Sequence, residues 1–77
     1  MSIKVLYFAS LREEIGRGFD VVEAQEPITI NRLWEKATGQ SVMPDKLLAA
    51  INQEYSDSGG VVNDGDEVAF FPPVTGG

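Results

Sequence analysis

Two apolar segments near opposite ends of the chain, IKVLYFA (3–9) and EVAFF (67–71), constrain its fold more than any other feature. Each is apolar on both parities, so each presents large side chains to both faces of any sheet it joins. Between them, one stretch has the period of a substantial helix. Ile30, Leu33, Trp34 and Ala37 fall at i, i+3, i+4 and i+7, Thr29 is placed to cap the start, and Gly39 stops the end. A single helix can cover a single face of a sheet. The other face must keep its large side chains in the open.

The remaining segments fill in the sheet. FDVVEA (19–24) reads as a second strand, with Pro27 marking the end of the loop behind it. Between the first two strands, SLREEIG has Ser10 and Glu13 at capping-box spacing and Gly16 as a stop, which predicts a helix of about one and a half turns. QSVMPDK is a linker broken by Pro44, and LLAAIN (47–52) is a third strand. Asn52 and Gln53 suit a tight turn into a short strand around Tyr55, while DSGG and NDGD are turns on either side of Val61 and Val62. Pro72 and Pro73 cannot donate to a ladder and end the last strand. The order predicts an α+β fold, a β-grasp (ubiquitin-like) arrangement: a mixed sheet of about five strands, the two terminal strands side by side in its middle, and one main helix across it. Residues 1–71 form the domain and residues 72–77 an extended C-terminal tail.

Composition excludes several functions. The 77 residues contain no cysteine and no histidine, which removes disulfides, Cys/His zinc sites, thiol nucleophiles and imidazole catalysis. Twelve acids against six bases give a net charge of −6, the wrong sign for nucleic acid or an anionic membrane. No apolar run has the length of a membrane helix, and the opening MSIKVLYFA reads as a strand rather than a signal peptide, so a cytoplasmic location is expected. DGDE (64–67) resembles the start of a calcium loop, but the twelfth place falls on Thr75, and a turn into the last strand is the better reading. Glu13 and Glu14 are adjacent and diverge on a helix, so they form no acid–base pair. Gly16 and Gly18 precede a strand and lack the further glycine or lysine of a phosphate loop. No cofactor and no metal is expected on this chain.

Two features remain as the candidate site. On the open face, Phe8 and Phe71 are predicted to form a contact patch with Tyr55 from the short edge segment. Behind Phe71 come six residues, PPVTGG, with an extended reach of about 20 Å. Pro72 and Pro73 favour a stiff exit, Val74 and Thr75 carry the chain onward, and Gly76 and Gly77 are thin enough for a channel that excludes any Cβ. The reactive group at such a tip is the α-carboxylate of Gly77. A carboxylate becomes an electrophile once phosphoryl or adenylyl transfer makes it a mixed anhydride, after which it can pass to sulfur or to an amine.

KLLAAINQ followed by NDGDEVAFFPPVTGG, together with the opening IKVLYFASLREEIG, resembles the small-subunit, MoaD-type sulfur carriers of molybdopterin synthase; these stretches cover about half the chain. The resemblance implies that an ATP-dependent, ubiquitin-activating-like adenylyltransferase adenylates Gly77, and that a persulfide sulfur donor converts it to a thiocarboxylate. It further implies that the tail enters the large synthase subunit, in a heterotetramer of two small and two large subunits, and delivers sulfur to a cyclic pterin monophosphate precursor. Catalytic acids and bases would then belong to the large subunit, and ATP to the activating partner. Phe8, Tyr55 and Phe71 align with hydrophobic contact positions of that family, and Pro72 to Thr75 with its tail. The competing readings are a sulfur carrier of the same fold serving thiamine or cysteine synthesis, a ubiquitin-like protein modifier, and an adaptor with an inert tail.

Overall fold

The computed structural model describes residues 1–73. β1 (Ser2–Tyr7) leads into α1 (Ala9–Ile15), and β2 (Phe19–Glu23) returns beside β1. β3 (Ile28–Thr29) enters α2 (Ile30–Thr38), the main helix; β4 (Leu48–Ile51), β5 (Glu54–Ser56), β6 (Val61–Val62) and β7 (Glu67–Phe71) follow. Five strands form one sheet in the order β2-β1-β7-β4-β5, with β1 and β7 parallel in the middle and every other pairing antiparallel. This is the β-grasp arrangement the strand order predicts.

The core lies between one face of that sheet and α2. Val5 is paired with Val68 and Tyr7 with Phe70, and all four are fully buried with Ile3. Ile30, Leu33 and Trp34 project onto them from α2. The Trp34 ring meets Phe70 edge-on at 5.1 Å, and Tyr7 stacks beside Phe70 at 6.4 Å. Aromatic pairs in such geometry add about 0.5–1.5 kcal/mol beyond their area burial. Met43, from the linker, closes one edge of this core, a place the sequence pattern does not reveal.

Local chemistry sets most boundaries. The Thr29 hydroxyl accepts from the Arg32 amide at 3.2 Å and starts α2, while Gly39 ends it at φ +79°. Gly16 does the same for α1 at φ +86°, its amide donating to the Arg12 carbonyl at 3.0 Å. Such left-handed caps favour glycine because it has no Cβ. Asn52 and Gln53 both have positive φ (50° and 72°), the requirement of the tightest hairpin turn, and join β4 to β5.

Three expectations need correction. Ser10 does not open a capping box: α1 begins one residue earlier, behind an extended Phe8, and no side chain caps it. The reason is tertiary pairing, since the Phe8 amide donates to the Phe70 carbonyl at 3.1 Å and carries the ladder to the edge of the helix. The corner falls at Ala9, whose φ of +54° costs a non-glycine residue about 1–2 kcal/mol. Helix α1 is also longer than expected, seven residues or about two turns. Finally, Ile28 and the cap residue Thr29 pair with Val61 and Val62, read only as a link between turns, into a separate antiparallel ribbon that fastens the entry to α2.

Candidate functional site

The face of the sheet away from α2 is the candidate site. Strand parity decides its membership: Leu6, Ala69 and Phe71 alternate with the buried Val5, Tyr7, Val68 and Phe70. The registers then build two rows. Leu6, Ala69, Ala50 and Tyr55 are successive cross-strand partners, and beside them Phe71 is paired with Leu48. Phe8 continues β1 one step past the Tyr7–Phe70 pair and so comes alongside Phe71.

Phe71 meets Tyr55, and Phe8 lies alongside by register. Tyr55 is 80% exposed and Phe8 48%, while Phe71 is half-buried. The Tyr55 and Phe71 rings lie 5.8 Å apart at 56°. Small Ala50 and Ala69 sit in the next row, so large rings rim a shallow floor. Leu48, with 37% exposure, extends the patch on β4.

The tail leaves from this patch. The β7 ladder ends at the Leu48–Phe71 pair, and Pro72 and Pro73 follow without amide donors. The two prolines share a mainly apolar recess with Leu11, Pro44 and Leu47, bordered by Glu14 and Lys46. The predicted site residues Val74, Thr75, Gly76 and Gly77 lie outside the described residues.

Groups with shifted titration lie elsewhere. The Tyr7 hydroxyl donates to the Asp20 carboxylate at 2.8 Å, and Arg17 donates to the same oxygen at 2.7 Å and to the Ala37 carbonyl at 2.9 Å. Burial first, then the Asp20 hydrogen bond and charge, push the Tyr7 phenol well above its ordinary range. This network ties β1, β2 and the end of α2 together under the helix. In the DGDE turn the Asn63 amide and then the Asn52 side chain hold the Asp66 carboxylate below its usual range. Those donors occupy both Asp66 oxygens, as a turn reading requires. Among the described residues, no group of three or more His, Cys, Asp or Glu side chains is placed to hold a metal. No helix there is long and apolar enough to cross a membrane.

Sequence reasoning missed Phe19 and Val21. Both lie on this same face, across from Leu6 and Lys4, and both are more than half exposed. FDVVE has apolar residues on both parities, so only the register with β1 shows which pair faces outward.

The strand order and the helix across one face place the molecule among ubiquitin-like β-grasp proteins. The chain belongs to the ThiS family, whose model matches residues 5–77. It is 46% identical to the molybdopterin synthase sulfur carrier subunit of Escherichia coli, over 97% of this chain and 99% of the relative. Against the protein of the same name from Haemophilus influenzae identity is 37%, with the same coverages. Among solved structures, SAMP1 from Haloferax volcanii superposes with a TM-score of 0.83 over the full length of both chains, at 26% identity.

Proposed function

We propose that this chain is the sulfur carrier subunit of a molybdopterin synthase, non-catalytic by itself, with Gly77 as the residue that bears the sulfur. The observation that carries the reading is the placement of Phe8, Tyr55 and Phe71 on the open face at the point where the tail departs. A partner seated on that patch receives the tail in a fixed direction. Full-length similarity to chains named sulfur carrier subunits of this synthase supports the same conclusion.

The chemistry belongs to the terminal carboxylate. One Gly77 oxygen attacks the α-phosphorus of ATP on an activating adenylyltransferase, pyrophosphate leaves, and an acyl adenylate results. The terminal sulfur of a donor persulfide then attacks the carbonyl carbon and AMP departs. This leaves an acyl disulfide through a new carbon–sulfur bond; a thiolate then attacks the donor's own sulfur, forming a disulfide with the donor and releasing the Gly77 thiocarboxylate. In the large subunit that sulfur passes to a cyclic pterin monophosphate precursor, twice per dithiolene, with acid–base groups supplied by the large subunit. A heterotetramer of two small and two large subunits gives each carrier its own acceptor. The chain itself binds no cofactor in this scheme, and the work takes place in the cytoplasm.

Reconstitution tests the proposal. Thiocarboxylated chain, the cognate large subunit and the pterin precursor should yield molybdopterin, and Gly77→Ala or Gly76→Val should fold normally yet abolish product. Full activity in either variant contradicts the narrow-channel argument. Isopeptide conjugates on target lysines, with no conversion of the precursor, would instead identify a protein modifier.

A further inference from the structure

Phe19 and Val21 stand on β2, the edge strand opposite the one that carries Tyr55, at 58% and 59% exposure. They are not isolated. Phe19 is the cross-strand partner of half-buried Leu6, which is in turn the partner of Ala69, so apolar surface runs without a break from the β2 edge to Phe71. Contiguous apolar surface of this kind marks a contact site, whereas single exposed side chains do not.

Lys4 adds a charge of unexpected sign. It is the cross-strand partner of both Val21 and Glu67, and its ammonium lies 6.0 Å from the centroid of the Phe19 ring. Among the described residues it forms no ion pair. In a chain of net charge −6, this corner of the sheet offers an available cation on an apolar bed.

We propose that the partner seated on the aromatic cluster extends to the β2 edge, where Leu6, Phe19 and Val21 receive its apolar side chains and Lys4 receives a carboxylate. This rests on the reading of the open face as the contact with a large synthase subunit. Area supports the extension: a standard interface takes about 800 Å² from each partner. The aromatic rings and the threaded tail supply part of that area, and the exposed Phe19 and Val21 add to it. From β2 to β5 the sheet is four strand spacings wide, about 19 Å. Reaching the β2 edge adds the fifth strand to a contact that already spans β1 to β5. Charge sets the register, because Lys4 lies opposite Glu67, and a partner shifted by one strand would bring its carboxylate against Glu67 instead. Docking also removes water from the Lys4–Phe19 contact, which strengthens a cation over an aromatic face.

The test measures binding of the cognate large subunit to wild type, Phe19→Thr, Lys4→Glu and Phe71→Ala by isothermal titration calorimetry. Threonine keeps the strand preference, and both altered side chains are exposed, so thermal unfolding should be unchanged. Phe19→Thr and Lys4→Glu are each expected to weaken binding about 10-fold. A photo-crosslinking p-benzoylphenylalanine in place of Phe19 should attach to the large subunit. If Phe71→Ala weakens binding while both β2-side variants stay within about twofold and no crosslink forms, the extension is wrong and the large-subunit reading stands. If the wild-type chain does not bind at all, the large-subunit reading falls and this inference with it.

Discussion

Replacing Phe70 and Phe71 singly by alanine should separate the two faces of β7 in one pair of experiments. Phe70 is fully buried between Trp34 and Tyr7, and truncating a core phenylalanine costs about 3–5 kcal/mol. A domain of this length is stable by about 4–12 kcal/mol, so that loss removes a large share of the total. With an unfolding entropy of about 2.1 cal/mol/K per residue, each kcal/mol moves the melting temperature by roughly 6 °C. Phe70→Ala should therefore melt about 20–30 °C lower. Phe71 is half-buried and its aromatic neighbour is Tyr55, so its removal should cost about 0.5–1.5 kcal/mol, a shift below about 10 °C. The same variant should weaken binding to the large subunit by about 1–4 kcal/mol, between about fivefold and a thousandfold. Near-ultraviolet circular dichroism melts and calorimetric titrations read the two effects separately. Equal loss of stability in both variants, or unchanged affinity in Phe71→Ala, refutes the division into a core face and a docking face.

Other positions give smaller, directed effects. Thr29→Ala should lower stability by about 1 kcal/mol through loss of the α2 cap, and Thr29→Ser should restore most of it in a denaturant titration. Asp66 has a carboxyl held below its usual range in the folded state, so its contribution is present above the unfolded pKa and fades as pH falls through the folded value. Asp66→Asn should flatten that acid limb of a stability-versus-pH curve; an unchanged limb would show that the turn contributes nothing. Asp20→Asn removes the charge that opposes ionisation of Tyr7, so phenolate absorbance should emerge at lower pH than in wild type, though still above the ordinary range because the ring stays buried.

Particular residues show where the fold was readable. Phe70 and Phe71 could be assigned to opposite faces because neighbours on a strand always diverge, and a single amphipathic helix leaves one face open. Thr29, Gly39 and the Asn52–Gln53 turn were legible because their chemistry is local. Ser10 was misread because its spacing is also local, while the start of α1 is set by Phe8 pairing with Phe70, distant in sequence. Phe19 and Val21 depend on the β1–β2 register, and the Tyr7–Asp20–Arg17 network depends on three elements meeting. The two-residue pairing of 28–29 with 61–62 is too short to leave a periodic signature. The shared face of Phe8, Tyr55 and Phe71, by contrast, follows from parity together with the position of the edge strand, and Tyr55 meets Phe71 there.

Intact mass is the most direct measurement of the central claim. The purified chain is incubated with ATP, a cognate activating enzyme and a persulfide sulfur source, then weighed and fragmented. The account predicts a gain equal to exchanging one oxygen for sulfur, located on Gly77, dependent on ATP and absent from a chain lacking Gly76 and Gly77. An unchanged mass under conditions where the activating enzyme turns over ATP with this chain, or a sulfur located on any other residue, would contradict it.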